Sequence, residues 1–170
     1  MPTHRYWGKV RKILEHDLMC ASLKGRVRYF ATRYRKAHDG YGRVCVLVDD
    51  KEIINMPFPI EDKVYEEVHN RKKRGSDKSY SELHKEVKKE HNDKGLYYPG
   101  DFGCALDEFL SNRIFESLES DDWLVRMLAI MDRRVGKRTL EKIKSSIVNL
   151  PEWLQYFYHL RFQSENIYKK

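Results

Sequence analysis

Nowhere in this 170-residue chain do apolar residues run for the ~18 positions that a membrane-spanning helix needs, so none is expected. Cysteine is scarce: Cys20, Cys45 and Cys104 are odd in number, far apart and form no C-x-x-C pair. That pattern argues against both a disulfide framework and a thiolate zinc site. The opening Met-Pro-Thr-His-Arg-Tyr-Trp has no apolar stretch of the secretory kind, and the expectation is a cytoplasmic protein. No G-x-S-x-G, P-loop or G-x-G-x-x-G occurs, and no internal repeat is visible. The seven histidines include no His-x-x-x-His; His84 and His91 stand seven apart, without a ligand-bearing cysteine, so no metal is expected.

Charge is abundant, at 35% of residues and a formal net +7. Residues 1–44 hold 11 Lys/Arg against 3 Asp/Glu, and residues 45–62 hold 1 against 5. Residues 63–95 hold 10 against 7, and the remainder balances at 11 each. The basic excess therefore sits in the first quarter, where a polyanion or an acidic protein would meet it.

From Ser22 to His38, Leu23, Val27, Phe30, Ala31, Tyr34 and Ala37 recur at steps of three and four, which predicts an amphipathic helix with Ser22 as its cap. On that helix Lys24, Arg28 and Arg35 would lie within about 40° of one another on the outer face. Asp39-Gly40-Tyr41-Gly42 is the expected stop, followed by a buried strand through Val44, Val46 and Val48. Asp49-Asp50-Lys51 reads as a tight turn into Ile53, Ile54 and Met56. Before this unit, Trp7, Val10, Leu14 and Leu18 predict a helix over about residues 5–18, antiparallel to the central one.

Beyond residue 62, Asn70–Lys78 reads as an exposed loop, and Leu83 and Val87 form a narrow seam on a solvated helix. Gly95–Gly100 suggests a short extra strand. Asp101 is expected to cap a helix over Phe102–Leu110, and Ser120 to Asp122 to open one over Trp123–Met131, with Arg133 and Arg134 in its last turn and Gly136 ending it. Helices through Leu140–Ile147 and Trp153–Leu160 complete a bundle. The expected fold is α+β and mostly helical: a two- or three-stranded antiparallel sheet with an N-terminal helix pair and a C-terminal bundle. It divides into residues 1–62, a charged and mobile 63–95, and 96–170.

Three motifs touch chemistry. Asp49-Asp50-Lys51 fits the acid-x-Lys element of metal-dependent nucleases, but Glu61–Lys63 and Glu86–Lys88 fit it equally, and a solvated turn is the simpler reading. Val135-Gly136-Lys137-Arg138-Thr139-Leu140 looks like the second half of a helix-hairpin-helix, whose backbone amides receive a DNA phosphate; Arg134 stands where that motif has its other glycine. Lys24, Arg28, Arg35 and Arg43 form the clearest basic footprint, with Lys137 and Arg138 as a second.

Residues 22–39 and 128–140, with Trp153–Arg161, resemble stretches of a family of small uncharacterised bacterial proteins. The resemblance implies a bacterial cytoplasmic protein and brings no activity with it. Immunity proteins against basic nuclease toxins are expected to be acidic, which this chain is not. The reading from sequence is a non-enzymatic protein, without cofactor, that binds another protein; nucleic-acid binding is the second reading and a metal-dependent nuclease the third. If the basic face binds nucleic acid, binding to random DNA or RNA weakens steeply with salt and falls in a Lys24/Arg28/Arg35 to Glu triple variant. Unchanged retention of that variant on heparin counts against it.

Overall fold

The computed structural model describes residues 6–32 and 42–168. The α+β class holds, with eight α-helices among the described residues and a three-stranded antiparallel sheet near the N-terminus. Helix α1 (Trp7–Lys12) continues through wider π-type turns over Ile13–Leu18. The sheet has the order β1 (Val27–Ala31), β2 (Arg43–Val48), β3 (Lys51–Pro57). The helices are α2 (Ile60–Lys73), α3 (Tyr80–Asp93), α4 (Pro99–Ser111), α5 (Ile114–Glu119), α6 (Trp123–Ile130), α7 (Lys137–Ile143) and α8 (Glu152–Ser164).

The helix expected from residue 22 is instead a short 3-10 turn at Ala21–Leu23 and then strand β1. Gly25 takes φ +79, a left-handed conformation that stops a helix before its second turn. Beyond it, Val27 and Tyr29 point inward while Arg28 and Phe30 are exposed, the period of two that a half-buried strand shows. The expected N-terminal helix pair therefore does not form, and the first helix packs against a strand. Residues 33–41, with Arg35 and most of the expected Asp39–Gly42 stop, lie outside the described residues.

The β2–β3 hairpin closes through Asp49 and Asp50 with φ of 48° and 66°. Two consecutive positive φ values mark the type I′ turn that matches strand twist, and aspartate tolerates that region. Val27, Tyr29, Val44, Val46, Ile54 and Met56 form the inner face of the sheet and join the main core. Phe102 of α4 closes this corner, its ring 5.9 Å from Tyr29 and 6.4 Å from Trp7.

Beside β1 a carboxylate is buried. Asp49 N donates to Arg26 O and Thr32 N to Arg43 O, so alternation turns the Tyr29 N–H away from β2. Glu15 receives it at 2.8 Å, and Arg11 pairs with the same carboxylate at 3.3 Å. An orphan donor on an edge strand is thereby satisfied and the edge is closed.

Helix α6 is the centre of the helical half. Leu124, Val125, Met127, Leu128, Ala129 and Ile130 are all buried, against α4, α5 and α8. It ends at Ile130, earlier than expected, because the chain then pairs with the segment after α1: Cys20 N donates to Met131 O and Arg133 N to Leu18 O. Buried Asp132 accepts from Arg134, and buried Arg161 donates to Val135 O and pairs with Glu165 at 2.9 Å. Gly136, read as a helix stop, is instead the residue that precedes α7.

Three further expectations change. Residues 70–73, read as loop, form the last turn of α2. Residues 95–100 add no strand but turn into α4, where Pro99 takes the first helical position. Asp101 lies three residues inside α4 and its carboxylate reaches back to Tyr98 N at 3.2 Å.

Glu15→Ala leaves the Tyr29 N–H buried without an acceptor and is expected to cost about 2 kcal/mol, against a smaller loss for Glu15→Gln. Urea unfolding of the two variants measures the difference.

Candidate functional site

The basic residues singled out above do not make one open patch. On the outer face of the sheet, Arg26 pairs with Asp49 at 2.7 Å, Arg28 with Asp50, and Arg43 with Glu52 at 2.7 Å. The I′ turn brings both aspartates back over β1, so the acidic hairpin neutralises the arginines beside it. Arg43 also lies over the Phe30 ring at 6.0 Å. Lys24 is exposed before Gly25, and Arg35 falls outside the described residues. Lys137 and Arg138 are exposed on α7, with Lys137 4.0 Å from Glu165. Asp49 and Asp50 are thus committed to arginines. Among the described residues no group of His, Cys, Asp and Glu is placed to hold a metal ion.

A well-formed concave surface lies elsewhere, along helix α3. Helices α2 and α3 form an antiparallel hairpin, built locally by two devices. Ile60, Val64 and Val68 recur every four residues, and Val64 and Val68 pack with Leu83 and Val87 in a small core of their own. Ser79 and Glu82 close a capping box at the start of α3, the Ser79 hydroxyl receiving Glu82 N and the Glu82 carboxylate receiving Ser79 N at 2.8 Å. Arg71 then clamps the helices, reaching Glu67 at 3.0 Å and Glu90 at 2.7 Å.

Where the hairpin meets the body, its α3 face borders two hollows. A small one of about 80 Å³ lies between α2, α3 and the start of α4, with Tyr65, His84, Lys88, His91, Tyr98 and Asp101 among its walls. His84 and His91 do share a face there. The His84 ring lies 5.3 Å from that of Tyr65, and His91 Nδ1 bonds Val87 O at 2.9 Å. On the other flank an open groove of about 540 Å³ runs between α3 and the start of α6. One wall carries His84, Lys85, Lys88, Lys89 and Asn92; the other carries Asp121, Asp122 and Trp123.

Several of the polar groups along this groove are held by a neighbour. Lys88 pairs with Asp101 at 2.5 Å and sits over the Tyr98 ring at 5.6 Å. Gly100 allows that ring to fold across the first turn of α4, since a Cβ there would collide with it. Trp123 donates its indole N–H to Asp93 at 2.8 Å, and the Arg126 guanidinium covers the ring at 4.9 Å. Asp122 caps α6 by accepting Leu124 N at 2.8 Å, and burial raises its pKa. Burial, with Asp122, Asp101 and Asp93 nearby, also raises the Tyr97 phenol, whose hydroxyl has no partner among the described residues. Lys85 and Lys89 are exposed, one turn apart, and make no ion pair among the described residues.

None of these groove residues stood out in the sequence as a site. The signal present was the Lys-rich register of 85, 88 and 89, with Tyr80 five residues before it; Trp123 joins it only through the tertiary fold.

The chain matches the SF0329 protein family over residues 6–162 and belongs to it. No curated protein and no solved structure matches the chain.

The carboxylates of the α2–α3 hairpin and Asp122 at the start of α6 respond to acid in opposite directions. The Arg71 guanidinium holds Glu90 below the ordinary carboxylate range, and the Ser79 hydroxyl and backbone N–H do the same for Glu82. Their stabilisation is complete above the unfolded glutamate value and is lost as pH falls through the lowered folded values. Asp122 is raised, so its protonation favours the folded body as pH falls. Between about pH 6 and pH 3, hydrogen-exchange protection, taken relative to the intrinsic rate at each pH, is expected to fall in α2 and α3 before α6.

Proposed function

We propose that this SF0329-family protein acts by binding another protein, and that the groove between α3 and the start of α6 is where the partner lies. One observation carries the reading: the two walls are of opposite sign, with Lys85 and Lys89 on one and Asp121 and Asp122, beside Trp123, on the other. A nucleic-acid backbone brings one sign of charge along its whole length and would meet repulsion from the aspartates. A polypeptide segment carries both signs and apolar side chains, and finds on Trp123 the kind of aromatic anchor that dominates protein interfaces. Charge pairing along the rim would set register and on-rate, and contact with the indole would supply most of the affinity.

Nucleic-acid binding by the N-terminal region is the second reading. What favours it is that Lys9, Lys12 and Lys24 are exposed and make no ion pair among the described residues, while the arginines nearer the hairpin do.

The two readings separate on substitution. Native affinity capture with the wild-type chain is expected to recover a stoichiometric protein. Lys85→Glu with Lys89→Glu, or Trp123→Ala, is expected to weaken that complex at least tenfold, about 1.4 kcal/mol, while Arg28→Glu on the sheet leaves it intact. Loss with Arg28→Glu and none with the groove variants overturns the assignment of the groove. Salt-steep retention of nucleic acid that the groove variants leave unchanged favours the second reading.

A further inference from the structure

We infer that the α2–α3 hairpin is a hinged arm that swings as one unit about its base and so sets the width of the groove along α3. The arm is internally rigid. Val64, Val68, Leu83 and Val87 form a cluster separate from the main core, and Arg71 ties the two helices together through Glu67 and Glu90. Arg71 and Lys78 also both reach Glu86, which fixes the tip to the shaft of α3.

The bonds that join the arm to the body gather at one end. Trp123 donates to Asp93, Trp153 donates to Asn92 O at 3.0 Å, and Lys88 pairs with Asp101. Toward the tip, residues 70–80 make hydrogen bonds and ion pairs only within the arm among the described residues. By the helical rise the tip stands about 20 Å from that base. A stiff unit held at one end and unsupported at the other rotates about the held end.

The connections have the chemistry of a pivot. The chain enters through Pro57-Phe58-Pro59 and leaves through Gly95, at φ +74, where a Cβ would press on the Trp153 ring at 3.1 Å. Asn92 and Asp93, held by the two tryptophans, mark the axis. Lys88 is the bond farthest up the shaft and the one that spans from the arm to α4. It is therefore the latch: with it made, α3 lies against the body, and with it broken the groove widens.

This inference concerns the free chain and does not rest on the binding reading, so each can fail without the other. Nitroxide labels on exposed Cys104 of α4 and on an Asp77→Cys tip, measured by pulsed dipolar spectroscopy in the full chain without partner, test it. A second pair wholly within the arm, Glu66→Cys with Lys89→Cys in a Cys104→Ser background, reports its internal order. The expected result is a body-to-tip distribution at least twice as broad as the intra-arm one. Lys88→Met is expected to shift its weight to longer distance by at least threefold and leave the intra-arm distance unchanged. A body-to-tip distribution as narrow as the intra-arm one and unmoved by Lys88→Met overturns the inference. So does broadening of the intra-arm pair, because the arm would then be unfolding and not turning.

Discussion

Helix α6 has no side that it can turn to water, and the arrangement of the helical half follows from covering it. From Leu124 to Ile130 only Arg126 is polar, and its guanidinium is folded back over Trp123 to the carbonyls of Glu119 and Ser120. A helix apolar almost all round is stable only when surrounded. α4, α5 and α8 surround it, α4 and α8 with broad apolar faces and short α5 with Ile114 and Leu118. α2 and α3 offer one narrow seam apiece and carry charge on the rest, so they satisfy each other and remain outside. The groove is the space left between α3, on that outer pair, and the uncovered start of α6.

The strand pair and most helices of the second half were legible in the sequence because their signals are local. Val44, Val46 and Val48 declare a buried strand, and Asp122 before an apolar run declares a cap and a helix. The stretch after Ser22 misleads because Val27, Phe30, Ala31 and Tyr34 fit a period near four, while Val27 and Tyr29 also fit a period of two. Gly25 and the density of β-branched and aromatic residues were the arbiters, and both favour the strand. Helix α2 hid in a segment whose charge resembles that of a loop. The groove could not be read at all, since its walls come from residues 84–92 and 121–123 and meet only in the fold.

Formal charge proved a poor guide to where positive potential is available. The excess in residues 1–44 is real, but the hairpin that follows returns Asp49, Asp50 and Glu52 to the arginines. Such exposed pairs add little stability; what they do is remove a footprint. Conversely Glu15, Asp132 and Arg161 look like surface charges in the sequence and are buried, each bonded to backbone that would otherwise go unpaired. Glu15 and Arg161 join segments far apart in the chain, the turns after α1 to strand β1 and the chain after α6 to helix α8, while Asp132 braces its own turn through Arg134.

Two of the three tryptophans in the chain, Trp123 and Trp153, spend their indole N–H on the last turn of α3, one on the Asp93 carboxylate and one on the Asn92 carbonyl. Indole emission depends on the polarity and hydrogen bonding around the ring. The intrinsic ultraviolet fluorescence of this protein is therefore weighted toward a single joint. An unlabelled sample carries its own optical gauge of how that joint is set, with Trp7, packed on Phe102 at the far corner of the sheet, as a reference signal.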